Sequence, residues 1–121
     1  IDPKNQQFTY DASTKAIKAS AYNNAYCVFA QSDSNPVAVT TCDSSNAAQQ
    51  WTYNNKTGQF ASTMNTCLDV YDFTGDNIEE FGCKSASDST ISNQVFTINS
   101  NAAIITNTYK SKVKCMTLLK P

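Results

Sequence analysis

The sequence predicts an all-β domain built from three copies of one unit. Three segments share the pattern Gln-x-aromatic-Thr-apolar, and their aromatic residues Phe8, Trp51 and Phe96 lie 43 and 45 residues apart. Short runs rich in Thr, Tyr, Val, Ile and Phe alternate with clusters of Asn and Gly, which is typical of strands and turns. The best helical candidate, 11–21, lacks an apolar stripe at helical spacing. We therefore expect three β units and little helix.

Cysteines recur at similar distances after each aromatic residue. Cys27, Cys67 and Cys115 follow it by 19, 16 and 19 residues, and a second cysteine follows in the first two units, Cys42 after 15 residues and Cys83 after 16. Five cysteines in a chain of 121 residues indicate an oxidising compartment. None forms the C-x-x-C pair of zinc or redox motifs. Three landmarks that recur at one period establish the repeat.

The units can be placed along the chain. A length of 121 residues suits one core, so we expect a single domain, 1–121, with units of about 1–47, 48–91 and 92–121. The clearest strands should lie at 50–53, 67–71, 95–98 and 104–108, with turns at 54–58 and 74–77.

The third unit is shorter than the second. Six residues follow Cys115, whereas the second unit continues for about 25 residues from Cys67. We expect that further domains or another chain complete the third unit. Cys115 would then be half of a third disulfide whose other half lies outside this sequence.

Composition narrows the function. The chain has nine lysines, no arginine, ten acids and a net charge of −1, so it lacks the basic excess of a nucleic-acid binder. It has no histidine, which removes the commonest general base and metal ligand. It has no long apolar run that could insert into a membrane. We expect no catalytic residues, no cofactor and no metal.

The segments Gln49-Gln50-Trp51 and Cys67-Leu68-Asp69-Val70 resemble the signature of ricin B-type lectin repeats. The resemblance covers nearly the whole chain and is strongest in the second unit. It implies a β-trefoil, in which three four-stranded units surround a pseudo-threefold axis and the pattern's aromatic residues pack near that axis. It also implies disulfides within the units, Cys27–Cys42 and Cys67–Cys83.

The resemblance also implies where sugar binds. In this family a carboxylate lies two residues after the first cysteine, an aromatic ring lies two residues before the second, and an Asn precedes the Gln of the next pattern. Carboxylates accept strong hydrogen bonds from hydroxyls, a flat ring covers the apolar face of a pyranose, and Asn both donates and accepts. The second unit matches, with further polar residues at 79 and 84, and its candidate site is Asp69, Glu79, Phe81, Lys84, Asn93 and Gln94.

The other units do not match this pattern. The first has Phe29, Thr40 and Ala48 at the three positions, and the third has Thr117 at the carboxylate position. We therefore expect one site, with weak binding of galactose-type sugars on glycans or glycoproteins. Phe81 departs from the Trp or Tyr that the family often has.

Other interpretations stay open. Asp69 could be an ordinary acid at a strand end, and Gln94 could touch sugar or instead orient Asp69. The domain could be a structural or protein-interaction trefoil without sugar affinity. It could also be a module of a larger secreted glycoside hydrolase or toxin. A secreted or cell-surface location suits each of these interpretations.

Three further groups of residues carry weaker hypotheses. An acidic stretch could hold a cation, but its spacing is not that of an EF-hand, and we expect a solvated loop. The adjacent acids Glu79 and Glu80 would point to opposite faces of a strand, so they cannot flank one glycosidic bond as the two catalytic carboxylates of a glycosidase do. Alternating lysines could meet an anionic glycan or simply protect an edge strand, and a sequon in a turn could be N-glycosylated. These residues are Asp69, Asp72, Asp76, Asn77, Glu79 and Glu80; Lys110, Lys112 and Lys114; and Asn55 with Thr57.

Overall fold

The computed structural model describes residues 6–20, 23, 25–31, 37–70, 78–109 and 112–116. These residues contain eleven strands and two short 3-10 helices, which confirms the all-β prediction. The strands are β1 (Phe8–Asp11), β2 (Ala16–Ala19), β3 (Tyr26–Phe29), β4 (Ala38–Thr41), β5 (Trp51–Asn54), β6 (Gln59–Ser62), β7 (Thr66–Val70), β8 (Ile78–Gly82), β9 (Phe96–Asn99), β10 (Ile104–Tyr109) and β11 (Lys112–Cys115).

The strands form three antiparallel sheets in which chain neighbours pair. The sheets are β1-β2-β3-β4, β5-β6-β7-β8 and β9-β10-β11, so each predicted unit is one sheet. A 3-10 helix at Ala47–Gln49 joins the first sheet to the second, and another at Ile91–Gln94 joins the second to the third. Strand β2 falls within 11–21, which was the best helical candidate in the sequence. The described residues contain no helix long and apolar enough to cross a membrane.

One backbone hydrogen bond, repeated three times, joins the units in a ring. In each case the N–H of the pattern's aromatic residue donates to a carbonyl in the first hairpin turn of another unit. That carbonyl belongs to a residue in the left-handed region, with φ between 55° and 80°. The bonds are Phe8 N to Ala103 O at 2.7 Å, Trp51 N to Lys15 O at 2.8 Å and Phe96 N to Gly58 O at 2.8 Å. This repetition is the pseudo-threefold symmetry of a β-trefoil.

The aromatic residues of the repeated pattern meet in one core. Phe8, Trp51 and Phe96 are at most 3% exposed, and they pack with apolar residues of the second strands, among them Phe60. Trp51 also donates from Nε1 to Val28 O at 3.0 Å, which ties the second unit to the first. Truncation of a buried Phe or Trp to Ala typically costs about 3–5 kcal/mol, so we expect each of these three residues to matter for the stability of the fold.

Both disulfides implied by the resemblance are formed. Cys27–Cys42 and Cys67–Cys83 link the third strand of a unit to the residue just after its fourth, at separations of 15 and 16 residues. A loop of that length corresponds to about 3 kcal/mol of stabilisation in the chain-entropy account. The two links hold the ends of the β3–β4 and β7–β8 hairpins together.

Candidate functional site

The β7–β8 hairpin places the predicted site residues of the second unit on one face. Asp69 pairs with Glu79 and Cys67 pairs with Phe81. Side chains alternate across a strand, so these four residues share a face. Phe81 is 42% exposed and Glu79 is half-buried. The hairpin therefore presents an accessible ring beside two carboxylates.

Asp69 is the centre of the arrangement, and it is only 2% exposed. Its Oδ1 accepts from Asn93 Nδ2 at 2.9 Å, and its Oδ2 accepts from Gln94 Nε2 at 2.9 Å. Asn93 and Gln94 lie on the 3-10 helix Ile91–Gln94, about 25 residues further along the chain. Each carboxylate oxygen thus has its own amide donor, which fixes the plane of the carboxylate.

Gln94 is fully buried and fully engaged. Its Oε1 accepts from Gln59 Nε2 and from the backbone N–H of Lys84, both at 2.9 Å, and its Nε2 also donates to Gly82 O at 3.1 Å. Because two donors point at Oε1, the Nε2 end must face Asp69. Of the two roles that the sequence left open for Gln94, this geometry matches the orienting one. Gln59 was not predicted, since its contact with Gln94 spans 35 residues.

Lys84 orients the side-chain amide of Asn93. Its Nζ donates to Asn93 Oδ1 at 2.8 Å and to Thr90 O at 3.0 Å. With Oδ1 held by the ammonium, Asn93 directs its Nδ2 towards Asp69 Oδ1 and Val70 O. All six predicted residues therefore lie in or beside one hydrogen-bonded cluster.

The loop before the second 3-10 helix is stabilised by hydrogen bonds to the carboxylate of Asp88. Asp88 Oδ1 accepts from Thr90 N at 2.8 Å and Thr90 Oγ1 at 2.7 Å. The pKa of Asp88 is lowered, first by the hydroxyl of Thr90, then by its backbone N–H, and further by the nearby charge of Lys84. The same kind of turn occurs at Asp43–Ser45 in the first unit, where the pKa of Asp43 is also lowered.

Asp69 and Glu80, at the two ends of the acidic stretch, do not lie in the solvated loop that the sequence suggested. Asp69 and Glu80 lie in strands and are buried, with Glu80 fully so. Glu80 accepts from Thr66 Oγ1 at 3.1 Å and from Gln31 N, a donor in the first unit. Its burial depends on this contact between units, which local sequence cannot indicate. Asp72, Asp76 and Asn77 lie outside the described residues.

The remaining predicted features fall in several places. Asn55 is exposed in the β5–β6 turn, and Lys112 and Lys114 belong to β11. Lys110 and Thr117 lie outside the described residues. In the part of the chain that the structure describes, no group of three or more His, Cys, Asp or Glu side chains is arranged to hold a metal ion.

Comparison with known proteins identifies the family. The family model of the ricin-type beta-trefoil lectin domain matches residues 2–78 and, in a second alignment, residues 20–120. A comparison with curated proteins gave no match. The two alignments together span nearly the whole chain, and the three sheets and two intra-unit disulfides fit the fold. The chain therefore belongs to the ricin-type β-trefoil lectin domain family, whose members are carbohydrate-binding and not catalytic modules.

Proposed function

We propose that this domain binds galactose-type sugars, on glycans or glycoproteins, through one site in its second unit. The site residues are Asp69, Glu79, Phe81, Lys84, Asn93 and Gln94. The observation that carries the proposal is the pair of 2.9 Å hydrogen bonds from Asn93 and Gln94 to Asp69, beside an exposed aromatic ring.

Asp69 supplies the acceptor for sugar hydroxyls. A carboxylate has about four acceptor positions, so the two amide donors do not by themselves exhaust it. Hydrogen bonds to an ionised group are about twice as strong as neutral ones. A carboxylate whose plane is already fixed binds vicinal hydroxyls without the entropic cost of orienting it. Gln94 performs this orienting role, and Asn93 adds an amide that donates and accepts.

Phe81 supplies the apolar platform. Its ring is 42% exposed on the same face as Asp69, although a fully apolar side chain of this size is usually buried. The C–H face of a pyranose would cover the ring and remove apolar surface from water. Phenylalanine lacks the polar tip of Trp or Tyr, which is one reason to expect weak binding.

Lys84 and Glu79 would complete the site at its edges. An ammonium has three protons, and the two hydrogen bonds of Lys84 Nζ leave a third for a hydroxyl oxygen. Glu79 lies directly across the hairpin from Asp69 and could accept from a second hydroxyl. These two residues would tune affinity, whereas Asp69 and Phe81 would determine whether binding occurs.

The wider setting is also proposed. A single weak site gains avidity when it is repeated or tethered, so we place the domain, taken as one unit over 1–121, in a larger secreted or cell-surface protein. The exposed Asn55 would carry an N-linked glycan if the protein passes through a secretory route that has the transferase.

Titration of the folded protein with galactose and lactose, followed by calorimetry, tests the proposal. Asp69→Asn should abolish detectable binding, since hydrogen bonds to a charged group contribute about 1.5–3 kcal/mol. The new amide would also turn an N–H towards Asn93 or Gln94, both of which donate. Phe81→Ala should weaken binding, and Thr40→Ala, at the equivalent position of the first unit, should not.

Two results would count against the proposal. Undiminished binding by folded Asp69→Asn protein would place the site elsewhere. A wild-type protein that binds neither sugar would favour a structural or protein-interaction trefoil.

A further inference from the structure

We propose that Asn107, in the third unit, is a positioning residue for the sugar site of the second unit. The inference rests on the proposed function, because it assigns a role in that same site. Asn107 does not belong to the hydrogen-bonded cluster around Asp69. It would act on sugar binding through the short helix that carries Asn93 and Gln94.

The side chain of Asn107 is buried against the helix Ile91–Gln94 that links the second and third sheets. The residue lies in β10, is 5% exposed and pairs with Phe96 of β9. Its Nδ2 donates to Ser92 O at 3.0 Å and to Val95 O at 2.9 Å. Both partners are carbonyls, so only the NH₂ end of the amide can satisfy them.

The two carbonyls lie on either side of the site amides. Ser92 directly precedes Asn93, and Val95 directly follows Gln94. One side chain therefore clamps the backbone at both ends of the pair that holds Asp69. A shift of this backbone would move both amide nitrogens away from the carboxylate oxygens together.

The helix that carries the pair is less well capped than its counterpart in the first unit. At its start Thr90 makes no side-chain cap hydrogen bond. In the first unit, by contrast, Asn46 caps the corresponding helix by accepting from Ala48 N at 3.0 Å. A short 3-10 helix has poor internal hydrogen-bond geometry. Contacts from outside the helix hold it in place, among them Asp88 with Thr90 N, Lys84 Nζ with Thr90 O, and the two hydrogen bonds from Asn107.

The equivalent positions in the other units do not make this clamp. Ser62 pairs with Trp51, and Ala19 pairs with Phe8, as Asn107 pairs with Phe96. Ser62 Oγ instead shares a hydrogen bond of 2.6 Å with Thr66 Oγ1 in its own unit. Among the described residues, the double clamp occurs only at the helix that carries Asn93 and Gln94.

Two substitutions test the role, with one matched control. Asn107→Asp keeps the shape but replaces the Nδ2 donor that faces both carbonyls with an acceptor oxygen, whereas Asn107→Ser keeps one donor. Ser62→Ala changes the equivalent position, which touches neither site amide. Each protein would be titrated with lactose, and the side-chain NH₂ signals of Asn93 and Gln94 would be followed by ¹⁵N NMR, with folding checked by thermal unfolding.

We expect the dissociation constant for lactose to rise about tenfold in Asn107→Asp at neutral pH and about threefold in Asn107→Ser, since a hydrogen bond contributes about 0.5–1.5 kcal/mol. The NH₂ signals should shift in both variants. Lowering the pH should narrow the gap between Asn107→Asp and wild type, because a protonated carboxyl can donate to one carbonyl again. Ser62→Ala should leave affinity and both signals unchanged.

The outcomes separate this inference from the proposed function. Folded Asn107 variants with wild-type NH₂ signals would overturn the positioning role, whatever the sugar affinity. Shifted signals with unchanged affinity would overturn the link to binding. If wild-type protein binds no lactose, the proposed function fails, and the link to binding fails with it.

Discussion

The first and second units share a scaffold but differ in what they place on it. In the first unit, Gln49 Nε2 donates to Thr41 O at 2.9 Å and its Oε1 accepts from Asp43 N at 2.8 Å. Gln94 makes the same two contacts in the second unit, with Gly82 O and Lys84 N. These two hydrogen bonds of the glutamine, which we call the glutamine brace, are therefore part of the shared fold. The carboxylate, the exposed ring and the asparagine are what distinguish the second unit.

The two units also differ in the residue that lies beneath this glutamine. Ala16 in the first unit occupies the position of Gln59 in the second, and a cavity of about 240 Å³ lies beside Ala16, Gln49 and Asp43. In the second unit the amide of Gln59 reaches Gln94 and Lys84 O instead. The unit with the candidate site thus has a continuous hydrogen-bonded network beneath Asp69.

Removing one disulfide at a time should have the largest effect. Cys67→Ser/Cys83→Ser and Cys27→Ser/Cys42→Ser should each lower the free energy of unfolding by about 3 kcal/mol, because the closed loops have similar lengths. Lactose binding should be lost only in the first of these variants, since Phe81 and Lys84 adjoin Cys83. Chemical denaturation and calorimetry would measure both effects, and equal affinity in the two variants would contradict the contrast between the units.

The braces offer a second matched pair. Gln94→Ala removes the donor to Asp69 Oδ2 and the acceptor of the Lys84 N–H, and it should cost about 1–3 kcal/mol of stability. Gln49→Ala should have a similar cost, because it also removes the acceptor of a backbone donor, the Asp43 N–H. Sugar binding should fall in Gln94→Ala and stay at the wild-type level in Gln49→Ala. A binding defect in Gln49→Ala would show that the first unit contributes to recognition.

The smallest expected effect concerns the thermal stability of the protein at acid pH. The pKa of Asp11 is lowered from 3.8 to about 2, mainly by the hydroxyl and backbone N–H of Ser13. A carboxyl with a depressed pKa in the folded state adds stability above pH 3.8, and that contribution is lost as the pH falls towards 2. Wild-type Tm should therefore fall over this range slightly more than that of Asp11→Asn. Thermal melts between pH 5 and about 2 check this, and parallel curves would refute it.

Much of the fold could be predicted because its landmarks are local and repeated. Phe8, Trp51 and Phe96 recur with cysteines at one spacing, and each marks the first strand of a sheet. The candidate site residues could be named for the same reason, since the resemblance relates each to a cysteine or a glutamine. Their role in sugar recognition stays a prediction.

The residues that were missed act over long distances. Gln59 reaches Gln94 across 35 residues, and Glu80 meets Gln31 across 49. Neither contact has a local pattern, so Glu80 was placed with its acidic neighbours in a solvated loop. Asn107 was missed because nothing in a strand sequence indicates that its amide faces backbone carbonyls at the linking helix, 12 and 15 residues earlier.

The central claim is that one unit binds sugar and its neighbour does not. A ¹⁵N NMR titration of wild-type protein with lactose tests this most directly, because it reports on both units at once. The account predicts progressive shifts in the backbone signals of Phe81, Lys84 and Asn93, and unchanged signals for the equivalent residues Thr40, Asp43 and Ala48. Equal shifts in both sets, or shifts confined to the first unit, would contradict it.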